Sequence, residues 1–308
     1  MSTRTFRPQQ LDKRPDFVSF GIVSSHIAFV VAPICLAAAT PPGLLHILYW
    51  AWFGISAHGL TNLMHEAAHR LVFNHGGTSD LLGQWVLGPL FISSFDTYRD
   101  RHWDHHRKFG SDDDTKDVYL VSISGWRLFG FALTCVLGQV AIRRFLGQFS
   151  PSSGNESQTQ IVPLVVRTAV FHVALIAMLV LIGCASSSWN LEEGLTRSAV
   201  AYFFVYLYGL GSLTVFVAAL RAIAEHQQGA PTGVNEGRAA LRNLKTNPIT
   251  RLVLGSYGFA NHAVHHHWPG IPSYRLEEAM EVLANSDSRY SPQQGYMTVL
   301  LNLWRERA

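Results

Sequence analysis

The sequence predicts an all-α integral membrane protein, with four transmembrane helices and a cytoplasmic helical cap that carries three clusters of histidine. Three observations lead there. Charged residues make up only 15% of the 308, against about 25% in an average soluble chain. The uncharged residues gather into runs long enough to cross a bilayer. Nine of the fifteen histidines fall in the short segments 65–69, 102–106 and 262–267.

The same figures exclude other classes. A hydrophobic content of 48% and a mean hydropathy of +0.14 rule out a disordered chain. A net charge of +3 offers no basic footprint for nucleic acid. Cys35, Cys135 and Cys184 are too few and too scattered for a disulfide framework or a thiolate metal site.

From Phe17 to His65 there are 49 consecutive residues without Asp, Glu, Lys or Arg. A spanning helix needs about 20, so the run holds two spans, 18–39 and 44–64, punctuated by Pro41-Pro42-Gly43. Two later runs, Thr168–Leu191 and Ser198–Leu220, supply spans at about 162–187 and 198–220. Leu81–Phe95, interrupted by Gly83, Gly88 and Pro89, and Leu128–Ile142 are shorter. Their length suits interfacial or re-entrant segments, with a short span as the alternative for Leu128–Ile142. The cap is then 65–161 and 221–308, in one domain covering the whole chain. Within it Gln227–Lys245 reads as a loop, and Leu276–Leu283 and Tyr296–Trp304 as amphipathic helices. The basic N-terminal region is followed by a full-length span and has no clear small-residue cleavage site, so it does not read as a cleavable signal.

Charge sets the orientation. With four spans, Arg197 is the one residue among 24 Lys and Arg on the far side, and Arg4, Arg7, Lys13 and Arg14 place the N-terminus in the cytoplasm. The C-terminus and all three histidine clusters fall on that same face. Nothing in the charge argument uses the histidines, so the agreement is independent support. A multi-pass protein of a bacterial inner membrane is expected.

His65-Glu-Ala-Ala-His69 places two imidazoles at i, i+4 on one helical face. His102-Trp-Asp-His105-His106 and His262-Ala-Val-His265-His266 each gather three rings at i, i+3, i+4, with His267 following. Neutral imidazole binds Zn, Cu, Fe and Ni. Eight rings exceed what one tetrahedral zinc uses, so two ions are the simplest accommodation. The rival reading is literal: His-Glu-x-x-His is also the zincin motif, with Glu66 as general base, which would make a membrane zinc protease. It leaves most of the other clustered histidines idle. A non-catalytic metal-binding membrane protein is the third possibility. In the two-metal reading Glu66 and Asp104 at most back a ligand.

These residues resemble the membrane fatty acid desaturase superfamily and its three histidine boxes. The matching stretches are His65–His69, Tyr98-Arg99 through His106, and Asn261-His262 through Pro269, and the resemblance covers roughly residues 17–285. It implies a non-heme di-iron centre that activates O2 and abstracts hydrogen from an unactivated alkyl chain. It also implies His226, in Arg221-Ala-Ile-Ala-Glu-His226, as a ninth ligand beside His65, His69, His102, His105, His106, His262, His265 and His266. That the metal is iron comes from the resemblance. The third box departs from the frequent Asn-Tyr-His-x-Glu-His-His pattern: Asn261 stands for Tyr and Val264 for Glu. An external electron donor of ferredoxin or cytochrome type is implied as well. The expected reaction is O2-dependent desaturation of an acyl or other alkyl chain, fatty acid or lipid first. The alternatives are a hydroxylase of the same superfamily and a desaturase of a small non-lipid alkyl metabolite.

Four acids after the second box, Asp112, Asp113, Asp114 and Asp117, are candidates to orient ligand imidazoles, against the simpler reading of a solvated loop. Arg99 is a candidate partner for a carboxylate or an anionic head group. His26, His46, His58 and His172 lie within spans, where polar residues are functional candidates. Of these His58, seven residues before His65, is placed to line a substrate passage. His75 reads as a loop residue.

Overall fold

A computed structural model describes residues 14–114, 123–147, 157–226, 234–236 and 239–305. Arg4, Arg7, Lys13, Asp117 and most of the Ser-rich stretch 150–157 lie outside the described residues. The described chain is mostly helical.

Helix α1 (Asp16–Ala39) starts after Pro15, and a short turn leads into α2 (Leu45–Ala68). Next come α3 (Gly76–Leu82), a π-helical stretch Gly83–Leu87 and α4 (Gly88–Leu90). A Cβ on Gly88 would meet the Ser93 carbonyl at 2.9 Å, so only glycine lets the chain fold back there. Ser94 caps α5 (Phe95–Lys108) by accepting from the Thr97 N–H. Gly138, at φ 74°, divides Leu128–Ile142 between α6 (Trp126–Val136) and α7 (Gln139–Gly147), bent by 69°.

Helix α8 (Ser157–Ser186) turns back through Ser188 and Trp189, both at positive φ, into α9 (Leu191–Val200). Asn190 caps α9 and accepts from the Glu193 N–H, and Glu192 and Glu193 complement the first-turn dipole. The helix continues through π-helical Ala201–Tyr208 and Leu210–Thr214 into α10 (Val215–His226).

Among the described residues, three helices are long and apolar enough to cross a membrane: Asp16–Ala39, Val162–Ser186 and Leu191–His226. The bent α6–α7 pair makes a fourth if it counts as one span. The expected span 44–64 is present as α2 but is not among them. Its residues His46, His58 and Asn62 lower its hydropathy. Its second half is buried by neighbouring helices rather than exposed to lipid, so it does not need an apolar surface all round.

Val30, Ile34, Phe53, Leu60, Leu63, Leu179 and Tyr206 form the core among α1, α2, α8 and the π-helical stretch. The segment expected to be a loop at 227–245 contains a short antiparallel hairpin, β1 (Val234–Glu236) with β2 (Ala239–Leu241), with Val234 opposite Leu241. Then follow α11 (Pro248–Val253), opened by an Asn247–Thr250 capping box, and α12 (His262–His267). The two amphipathic helices expected near the end are α13 (Leu276–Ser286) and α14 (Tyr296–Arg305).

Arg197 is buried. Its guanidinium donates to the Ala39 carbonyl at 3.1 Å and the Ser186 carbonyl at 3.2 Å, the last residues of α1 and α8, and pairs with Glu193. It satisfies carbonyls that helix ends leave open. Arg197→Met is expected to cost about 1–3 kcal/mol, read as a lower Tm in detergent with metal content unchanged.

Candidate metal centre

Four elements deliver histidine to one place. The last turns of α2 present His65 and His69, and α5 presents His102, His105 and His106. His226 ends α10, and α12 carries His262, His265 and His266. All nine sequence candidates are brought together. His65, His69, His102, His106 and His265 each offer a ligand atom within 4.8 Å of the others. His105, His226 and His266 form a second such group, and Glu225, His226 and His262 a third that shares His226. The groups adjoin: the His106 and His266 rings are 4.3 Å apart. Seven of the nine are buried, and His106 and His266 are half-buried.

The donor set fits metal. Nε2 of His69 lies 2.7 Å from Nε2 of His102, which lies 3.0 Å from Nε2 of His106. Nε2 of His265 is 3.2 Å from Nε2 of His106. Two imidazole nitrogens bound at right angles to an ion about 2.1 Å away lie about 3 Å apart. Both ring nitrogens of His65 and Nε2 of His266 are buried without a hydrogen-bond partner. Leaving such atoms bare costs about 1–3 kcal/mol each, which coordination would offset. Burial, and then the neighbouring imidazoles, hold His65 and His266 well below the ordinary histidine range. Their rings therefore stay neutral, as a metal ligand must be.

Two buried carboxylates border the second and third groups. Asp114 places both oxygens near His105 Nδ1, at 2.9 and 3.1 Å, whereas Asp112 and Asp113 are exposed. Glu225 Oε2 lies 3.8 Å from His262 Nδ1 and 3.2 Å from Arg221, and its Oε1 accepts from the Tyr296 hydroxyl at 2.7 Å. Sequence reasoning singled out neither Glu225 nor Tyr296. A buried acid beside a histidine looks like any helix-end Glu until α14 is seen to cover it.

The remaining candidates are structural ties. His58 Nδ1 donates to the Val253 carbonyl at 2.8 Å, and Asn62 donates to Ser256 Oγ at 2.9 Å. His26 Nδ1 pairs with the Tyr257 hydroxyl at 2.8 Å. These contacts fasten α1 and α2 to the segment that leads into α12, so His58 helps to position the third cluster. His172 joins Tyr202 and the Pro89 carbonyl, and His46 donates to the Ala37 carbonyl. His75 and His267 are exposed; His267 pairs with Tyr290 at 3.0 Å, away from the other histidines of its box.

Arg99 pairs with Asp80 and Asp96, and Asp104 with Arg107. Asp96 also meets Arg167 at 3.3 Å, on the wall of a cavity of about 250 Å³ between α5 and α8. Glu66 accepts from the Ser273 N–H at 2.8 Å and lines a small cavity with Arg14 and Tyr274. Burial pushes its carboxyl up to about 7, with the Ser273 bond opposing. Glu66 is thus committed to the turn before α13.

A family model described as fatty acid desaturase matches residues 42–296, which include all three clusters and His226. The chain belongs to the fatty acid desaturase family. The chain is also similar to the dihydrorhizobitoxine desaturase of Bradyrhizobium elkanii. The two are 26% identical over 307 residues, covering 91% of this chain and 79% of the other. Membership makes the protein an oxidoreductase of a family with acyl or alkyl substrates. It also removes the ground for reading His65–His69 as a zinc protease motif.

Proposed function

We propose that this protein is an O2-dependent, non-heme di-iron enzyme that introduces a double bond into an acyl or other alkyl chain, fatty acid or lipid first. The observation that carries the proposal is the pair of adjoining imidazole groups. His65, His69, His102, His106 and His265 would hold one ion, and His105, His226, His262 and His266 the other. Two bound irons supply O2 activation and hydrogen removal from unactivated carbon. The chain's own residues hold neutral imidazoles in place, through Asp114 at His105 and through the His58, Asn62 and His26 ties that seat α12. Burial of seven of the nine rings excludes bulk water.

Alkyl substrates offer no charge to recognise, and burying each CH2 contributes about 0.8 kcal/mol. A membrane bundle beneath the metal centre suits that task. In this reading α1, α2, α8 and Leu191–His226 span the membrane four times, with both termini and the metal centre in the cytoplasm of a bacterial cell. The bent pair α6–α7 lies in the interface: Trp126, Phe129, Leu133, Ile142 and Phe145 are exposed beside Arg143 and Arg144. Electrons come from an external ferredoxin or cytochrome-type donor that docks on the cytoplasmic face.

The similar Bradyrhizobium elkanii protein is named for dihydrorhizobitoxine rather than for a fatty acid. On that ground a small non-lipid alkyl metabolite is the second reading of the substrate. Purified protein is expected to hold about two irons per chain; one zinc and no iron would overturn the proposal. Metabolites and lipids from cells with and without the protein decide the substrate. A product lighter by two hydrogens supports desaturation, and one heavier by an oxygen makes the enzyme a hydroxylase.

A further inference from the structure

The two carboxylates at the metal centre have a common address. Asp114 follows α5 in a tight turn, with the Ser111 N–H bonded to the Lys108 carbonyl at 2.9 Å and the Asp114 N–H to the Ser111 carbonyl. That turn folds the chain back, so that one of three consecutive aspartates is 3% exposed while its two neighbours face solvent. Glu225 is 0% exposed and reaches the same group of histidines from the last turn of α10.

We infer that Asp114 and Glu225 are positioning residues for one particular ion, the one held by His105, His226, His262 and His266. This rests on the two-ion reading given above. The Nδ1–H of His105, directed at Asp114, fixes the tautomer and leaves the Nε2 lone pair for metal. A carboxylate behind an imidazole also makes it a stronger donor. Glu225 acts at longer range. At 3.8 Å from His262 Nδ1 it is beyond hydrogen-bond distance, so its contribution is its negative charge in a dry setting. Arg221 offsets part of that charge, and the longer distance to its histidine ranks Glu225 below Asp114. The Tyr296 hydroxyl holds Glu225 in place without altering its charge.

Outer partners of metal-bound histidine are worth about 10- to 100-fold in metal affinity. The test is a Co2+ titration of the full-length, metal-free protein in detergent, followed by calorimetry and by visible absorption. The wild type takes up two ions. His69→Ala weakens uptake at the five-histidine position and so identifies that step. Asp114→Asn is expected to weaken the other step 10- to 100-fold and leave the His69-dependent step unchanged. Glu225→Gln weakens the same step by less, and Asp114→Glu restores part of the loss. If Asp114→Asn lowers the yield of folded protein, Tyr296→Phe carries the same test through a weakening of the same step.

Unchanged binding in Asp114→Asn and Glu225→Gln overturns the inference, as does loss at the His69-dependent step. In both cases the two-ion reading survives. A folded wild type that binds fewer than two Co2+ overturns that reading, and the inference with it.

Discussion

His105→Ala is expected to abolish O2-dependent product formation and to lower bound iron from about two per chain toward one. His105 is wholly buried, and its ring lies 4.9 Å from that of His266 and 5.4 Å from that of His226. Removing it leaves the second group short of a donor and takes from the Asp114 carboxylate the imidazole it meets at 2.9 Å. The chemistry proposed here needs both ions, so losing one ligand is not a graded change. His267→Ala is the control. It alters the same histidine-rich stretch of sequence, but at an exposed ring that pairs with Tyr290, and it should keep full iron and full turnover. Activity that survives in His105→Ala would remove the second histidine cluster from the ligand set.

The other large effect concerns stability. Gly194→Ala is expected to destabilise the protein by about 1–3 kcal/mol or more, seen as a fall in Tm. A single methyl there would lie 2.8 Å from the Cys184 Cα and N and 2.7 Å from its Sγ, where α9 crosses α8. The crossing is tight from the other side too, since a Cβ on Gly183 would meet the Gly194 carbonyl at 2.5 Å. Small residues at a membrane helix crossing allow the backbones to touch, which is a main source of helix association in lipid. Gly21→Ala reverses the sign: no atom lies within 4 Å of the added methyl, and helix propensity favours alanine by about 1 kcal/mol. Equal Tm changes in the two variants would mean that the α8–α9 contact is not tight.

The grouping of the histidines was legible in the sequence to an unusual degree, and the reason is periodicity. Histidines at i, i+3 and i+4 share a helix face before any tertiary structure is known, so the three clusters announced themselves. Their convergence on one site appears only in the structure, where α2, α5, α10 and α12 bring the rings together. What surrounds them was not legible. Asp112, Asp113 and Asp114 are chemically identical in sequence, and the turn that buries just one of them depends on backbone geometry around Ser111. Glu225 gains its meaning from Tyr296, 71 residues later. The spans followed from missing charge, but α2 shows the limit of that signal. A helix wrapped by its neighbours can carry His58 and Asn62 inside a bundle and score as less apolar than one that faces lipid. The strand pair β1 and β2 was missed because three-residue strands leave no alternation to read.

The bond between Tyr296 and Glu225 makes α14 part of the support of the candidate metal centre, although α14 contributes no histidine. Trimming the chain before Tyr296 to aid crystallisation, or placing a purification handle where it pries α14 loose, would take the hydroxyl donor from a wholly buried carboxylate, at a cost of about 1–3 kcal/mol. An iron-poor preparation made that way would report on the engineering of the chain end rather than on the ligands themselves.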